Sequence, residues 1–179
     1  VFKVMGKLVI FALVATIIIN FCAYSYINNK QISKKPLPDL IHDTLPQLEQ
    51  YYMNDVLTLS IFIFAIFNLT NSQLKKFGII MSVLYTIRAF SFCMTHLPAV
   101  GTECKNSMFN SCHDLMFSGH TTMTVVSLLA LYTWNNLPLL IAVPYYLITI
   151  FFILAQRRHY SVDVLIATVM SISVFHNFK

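Results

Sequence analysis

Six stretches of helix length, roughly 4 to 27, 55 to 71, 77 to 95, 117 to 134, 137 to 155 and 160 to 176, are apolar almost throughout. Each approaches the ~20 residues a helix needs to cross the hydrocarbon core of a bilayer. Backbone amides and carbonyls cannot be left unpaired in hydrocarbon, so such stretches must wind as helices. The expected fold is therefore all-α: a polytopic membrane helical bundle of six transmembrane helices, forming one membrane domain over residues 1–179. The second and the last two stretches are short or interrupted. Charge agrees with the assignment, since 11% of residues are charged against about 25% in soluble domains, and the mean hydropathy is +0.68. The first stretch, with Lys3 and Lys7 ahead of it, imitates a secretory signal. Its apolar run is too long for a signal core and no Ala-x-Ala site follows, so it is expected to be a retained span.

Six spans impose a parity. The connections at 28–54, 96–116 and 156–159 share one membrane face, here called the site face, and the remaining connections share the other. All seven acidic residues, Asp39, Asp43, Glu49, Asp55, Glu103, Asp114 and Asp163, fall on or beside the site face. Lys and Arg divide seven to five in favour of that same face, so the positive-inside rule does not orient the chain. Cys104 and Cys112 lie on one site-face loop and are able to form a disulfide if that face is lumenal or extracellular; free thiols in a reducing space are the alternative. The longest polar connection carries Pro36, Pro38 and Pro46 and reads as an extended loop.

The ionisable residues at the mouths of the apolar stretches carry the chemistry. In "RRHYSVDVLIA", His159 and Asp163 stand four apart, hence on one face of a helix wound there. A carboxylate held against one imidazole nitrogen fixes the tautomer and leaves the other nitrogen as base or nucleophile, although the same spacing fits an interfacial pair that caps a helix. His120 sits at the matching depth of the fourth stretch, behind Ser118 and Gly119. A glycine that permits close approach, a hydroxyl and a helix N-terminus together make a phosphate cradle.

"CHDLMFSGHT" at 112–121 and "HYSVDV" at 159–164 resemble the paired signatures of the sphingomyelin synthase and inositol phosphorylceramide synthase family, a branch of the type-2 phosphatidate phosphatase superfamily. "PLPD" at 36–39 and "RAFSFCMTHLP" at 88–98 agree, in family order. The resemblance implies that His159 is the nucleophile and that Asp163 orients it. His120 would protonate the leaving alcohol and later deprotonate the incoming one. The implied reaction moves a phospho-head-group, with phosphatidylcholine the favoured donor, through a phosphohistidine to ceramide and releases diacylglycerol.

Arg88, Arg157 and Arg158 are candidates to hold phosphate oxygens, since a guanidinium donates two bonds at once. For Arg157 and Arg158 the alternative is interfacial anchoring, whereas Arg88 lies inside an apolar run, where a charge is costly unless it faces a polar site. Asp114 is expected either to bond a head-group or to cap the helix. Asp39 and Asp43 are expected to shape the loop over the site. His113 stands where the family usually has glycine, and Ile153 where the parent phosphatase signature has arginine. These departures touch the donor head-group and count against a lipid-phosphate phosphatase, the second reading; a non-catalytic lipid-binding scaffold is the third. His96, His113, Asp114, His120, His159 and Asp163 supply enough ligands for a zinc or di-metal centre, but no compact ligand motif is present, and neither metal nor cofactor is expected. The expected partners are membrane lipids, a glycerophospholipid donor and a ceramide acceptor, with no nucleic acid and a homo-oligomer left open. The expected setting is the Golgi, endoplasmic reticulum or plasma membrane, with the site face lumenal or extracellular.

Overall fold

The computed structural model describes residues 2–30, 32, 35–49, 52–100 and 112–178. Among the described residues every regular element is a helix and no strand is present. The helices are α1 (Phe2–Asn28), α2 (Leu40–Thr44), α3 (Met53–Asn68), α4 (Asn71–Met94), α5 (Gly119–Asn135), α6 (Leu139–Ala155) and α7 (Ser161–Phe178). The six longer ones fall on the six apolar stretches. The short α2 escapes hydropathy because it is started by a cap, the Asp39 side chain accepting from the Ile41 and His42 amides.

Among the described residues, three segments, Gly6–Asn28, Asn71–Met94 and Ser161–Phe178, are long and apolar enough to cross a membrane by length and composition. By that measure three of the six expected spans qualify, while α3 and α6 are apolar but shorter. The case of α5 has a physical reason. It packs against α3, α4, α6 and α7 and buries Thr121, Thr122, Thr124 and Ser127. A helix walled in by protein can carry hydroxyls that lipid would not tolerate, and Thr124 donates to the Thr58 hydroxyl on α3 at 3.3 Å. The outer helices show the reverse. Phe11 on α1 is 72% exposed and Leu140 on α6 is 86% exposed, which suits hydrocarbon and not water. On the inner side of α1, a Cβ on Gly78 of α4 would come within 3.1 Å of Val9, so the glycine permits that close approach.

Tight connections alternate the helix directions. Thr70 and Gln73 form a capping box that starts α4 directly after α3. Asn136, left-handed at φ 55°, closes α5. At one end of the bundle the Asn135 side chain of α5 donates to the Asn68 carbonyl of α3 at 2.7 Å. At the other end, the loop before α3, the last turns of α4, the entry to α5 and the turn into α7 converge: the Leu48 amide bonds the Ala155 carbonyl at 2.9 Å, Arg88 Nε the Phe117 carbonyl at 3.0 Å, and the Ser118 amide the Asp163 carbonyl at 3.2 Å.

Candidate active site

The entry to α5 is built before any chemistry can occur there. The Ser118 hydroxyl accepts from the Thr121 amide at 3.2 Å as the helix cap, and the Ser118 amide donates to the Asp163 carbonyl of α7 at 3.2 Å. Ser118 is fully buried. It therefore acts as a cap and a splice between the two sequence signatures, and its hydroxyl is engaged within the protein. Gly119 leaves room for Arg88, since a Cβ there would lie 3.3 Å from Arg88 Nε.

Arg88 fills that room. Its Nε donates to the Phe117 carbonyl at 3.0 Å, Nη1 to the Tyr24 hydroxyl at 3.1 Å, and Nη2 to both the carbonyl and the side chain of Asp114, at 3.0 and 2.5 Å. Four of its five N–H donors are taken by protein groups. The buried guanidinium thus locks the 114–119 loop, a different task from the phosphate binding expected of it. Asp114 is its counter-ion, neither a helix cap nor an open head-group ligand. Arg157 is likewise turned to the backbone, donating to the carbonyls of His42 at 2.6 Å, Leu45 at 3.0 Å and Leu154 at 3.3 Å. Arg158 reaches the carboxylate that contacts His120, with Nη2 3.6 Å from Asp55 Oδ2.

His120 and His159 meet with ring centroids 6.3 Å apart. His120 Nε2 lies 2.7 Å from Asp55 Oδ1, in a contact whose side chains are 35% and 51% exposed. His159 is buried, and its Nδ1 lies 3.6 Å from Asp163 Oδ2, within ion-pair range but longer than a hydrogen bond. Asp163 Oδ2 accepts from the Tyr160 amide at 3.1 Å, whereas His159 Nδ1 and Asp163 Oδ1 are buried without a hydrogen-bond partner. Burial pushes the His159 imidazole down to about 3; the Asp114 charge opposes the shift, while His120, Arg88 and Arg158 reinforce it. The ring is therefore neutral near pH 7, with a lone pair available for attack.

His120, His159, Asp163 and Arg158 thus come together, with Ser118, Gly119, Arg88 and Asp114 forming the frame behind them and Arg157 set against the 36–48 loop. Asp55 was missed as a site residue by sequence reasoning. Asp163 was marked by its four-residue spacing from His159, whereas Asp55 offered only a lone carboxylate at the mouth of an apolar stretch. His113 reaches the Leu97 carbonyl at 3.1 Å. Cys112 is disulfide-bonded, while Cys22 and Cys93 are free; Cys104 and Glu103 lie outside the described residues. Among the described residues no group of three or more His, Cys, Asp or Glu side chains is arranged to hold a metal ion.

Residues 111–179 match the family described as PAP2 superfamily C-terminal, a region that holds Ser118, Gly119, His120, His159 and Asp163. The human sphingomyelin synthase-related protein 1 is 28% identical over 177 aligned residues, covering 78% of this chain and 42% of the relative. The Caenorhabditis elegans sphingomyelin synthase-related 1 is also 28% identical, covering 78% of this chain and 36% of the relative. The Trypanosoma cruzi (strain CL Brener) phosphatidylinositol:ceramide inositolphosphotransferase is 28% identical over 116 residues, covering 52% of this chain and 35% of the relative. The chain spans less than half the length of each. Residues 111–179, which hold both histidines, thus carry the match to the PAP2 superfamily C-terminal family, and the chain is similar to sphingomyelin synthase-related proteins and to an inositolphosphotransferase.

Proposed function

We propose that this protein is a lipid phosphotransferase that moves a phospho-head-group from a glycerophospholipid to ceramide by way of a phosphohistidine. The observation that carries the reading is the pair of imidazoles 6.3 Å apart, each with its own carboxylate. Two bases so close, one buried and neutral and one open to proton exchange, suit the two roles that head-group transfer requires.

In the first step His159 Nε2 attacks phosphorus, the bond from phosphorus to the diacylglycerol oxygen breaks, and His120 delivers a proton to that oxygen. In the second, the primary hydroxyl of ceramide gives its proton to His120 and its oxygen attacks the same phosphorus. The phosphorus–nitrogen bond then breaks and His159 returns to its starting state. Asp163 receives the Nδ1 proton of His159 as a hydrogen bond when the 3.6 Å gap closes. Arg158 holds non-bridging phosphate oxygens, and Asp55 orients His120. Phosphatidylcholine is the proposed donor.

All six long helices are proposed to cross the bilayer, with the site on the lumenal or extracellular face of the Golgi, endoplasmic reticulum or plasma membrane. At 17 residues α5 and α6 stand at the short end of the roughly 17–25 residues that span, and α3, at 16, falls just below it. The disulfide at Cys112 supports an oxidising compartment.

The test is reconstitution in liposomes with fluorescent ceramide and, in separate samples, choline, ethanolamine or inositol phospholipids. A labelled phosphosphingolipid with equimolar diacylglycerol is expected, most abundant with the choline donor. Release of inorganic phosphate from lipid monophosphates, without any labelled phosphosphingolipid, would overturn the transferase in favour of a phosphatase.

A further inference from the structure

The segment from Pro36 to Leu48 crosses the turn between α6 and α7 and is bonded to it along its length. The Leu37 amide donates to the Tyr160 hydroxyl, which in turn donates to the Pro98 carbonyl, both at 3.0 Å. Arg157 holds the carbonyls of His42 and Leu45, and the Leu48 amide holds that of Ala155. This segment adds little to the core, since α2 buries no residue and Leu40 is 79% exposed. Its bonds to the turn are what it contributes.

At the centre stands Asp39, buried and bonded through both oxygens. Oδ1 accepts from the amides of Ile41 and His42 at 3.0 and 3.3 Å, and Oδ2 accepts from the Ser161 amide at 2.6 Å. Ser161 opens α7, and the first amides of a helix have no partner inside it. One carboxylate therefore caps two helices. Burial pushes the Asp39 carboxyl up, but the Ser161 and His42 donors outweigh it, so the group rests below its ordinary value and is ionised near pH 7. His42, placed by this cap, sets its Nε2 3.1 Å from the His159 carbonyl. A carbonyl can only accept, so that nitrogen carries the proton.

We propose that Asp39 and His42 are positioning residues for the nucleophile: together they fix the main chain of 159–161 from outside, and so aim the His159 ring at the reacting phosphorus. The proposal rests on the reading of His159 as nucleophile given above. His159 lies between helices, so no helical ladder holds its carbonyl; His42 does. A nucleophile displaced by about 1 Å loses on the order of 100-fold in rate, which makes such a clasp matter to turnover even where it matters little to folding.

The test compares wild type with Asp39→Ala, His42→Ala, His42→Gln and Asp43→Asn, the whole chain being held in lipid nanodiscs. Two readings are taken: amide hydrogen exchange in peptides covering 157–164, and kcat and KM for transfer to fluorescent ceramide. Asp39→Ala and His42→Ala are expected to speed that exchange about tenfold and to lower kcat about 10- to 100-fold with KM within about twofold. His42→Gln, whose amide can donate to the same carbonyl, should recover most of kcat. Asp43→Asn, altering an exposed carboxylate on the same turn, should leave exchange unchanged. Unchanged exchange in His42→Ala, a loss confined to KM, or a His42→Gln variant as slow as His42→Ala overturns the proposal. If Asp39→Ala does not fold, the His42 pair decides alone. A wild type that transfers no head-group overturns the phosphotransferase reading, and exchange in His42→Ala then decides the clasp separately.

Discussion

The two halves of the site solve opposite problems. Around His120 the contact with Asp55 is short, 2.7 Å, and half open to its surroundings. Around His159 the ring is buried and its carboxylate stands off at 3.6 Å, with Nδ1 and Asp163 Oδ1 both unbonded. Leaving buried polar atoms unpaired costs about 1–3 kcal/mol each, a cost that falls if the proposed reaction draws His159 Nδ1 and the Asp163 carboxylate together. In the proposed mechanism, the group that exchanges protons with two alcohols needs access, whereas the group that stays neutral and then carries a phosphoryl needs a dry site and gains its carboxylate bond as charge develops.

The harshest way to break this comparison is to remove the proposed nucleophile. His159→Ala should lower transfer by about 1000-fold or more, read as labelled phosphosphingolipid per hour in liposomes. Equal product from wild type and variant would sink the assignment. The carboxylates come next and sharpen the contrast. Asp163→Asn keeps the shape but cannot stabilise an imidazolium, and should cost about 100- to 1000-fold in kcat. Asp55→Asn acts on a half-exposed contact that solvent already weakens, and should cost only about tenfold. If the two losses match, the buried and open halves are not as different as their geometry suggests.

Much of the frame was legible in the sequence, for reasons that also mark where reading fails. The six apolar stretches predicted the six long helices because lipid contact demands apolar residues over whole turns. That same criterion undervalues α5, whose Thr and Ser side chains face protein. His120, His159 and Asp163 stood out because ionisable groups are rare at such positions. The arginines did not sort themselves. Which donors of a guanidinium remain for substrate depends on carbonyls at Phe117, Asp114, His42 and Leu45, and the chain path that delivers those carbonyls leaves no pattern in residue type. Asp55 shows the converse: it carried a readable signal, but its partner lies 65 residues away on another helix.

Acid stability offers a gentler test of the buried half. The His159 imidazole is neutral in the fold down to about 3 because of burial, but takes a proton near pH 6.5 once unfolded. Between those values the unfolded chain binds more protons, so stability should fall as pH falls through that window and be unaffected by this group above it. Each bound proton contributes at most about 1.4 kcal/mol per pH unit. His42, also depressed by burial, acts in the same direction. The measurement is the thermal unfolding midpoint in detergent from pH 7 to pH 5 for wild type and His159→Gln. The variant should lose less stability on acidification. Parallel curves would mean that His159 is not held neutral.

The smallest effect expected belongs to Gly119, at the hinge between the halves. Ala is the better helix former by about 1 kcal/mol, and Gly119 is the first residue of α5, so propensity alone favours Gly119→Ala. Against this, the new Cβ would stand 3.3 Å from Arg88 Nε and 3.4 Å from Cζ. A flexible side-chain tip could yield the few tenths of an ångström required. Arg88 cannot yield easily, because Phe117, Tyr24 and Asp114 hold it on three sides. Overpacking against a fixed neighbour costs about 1–3 kcal/mol, so the net change should be a destabilisation of about 1 kcal/mol. Any shift of Arg88 passes through the Phe117 carbonyl toward His120, whereas the His159 main chain is held by the 36–48 clasp. Gly119→Ala should therefore slow turnover a few-fold while leaving amide exchange at 157–164 as in wild type, and a variant more stable than wild type would show that Arg88 is not the rigid buckle its bonds describe.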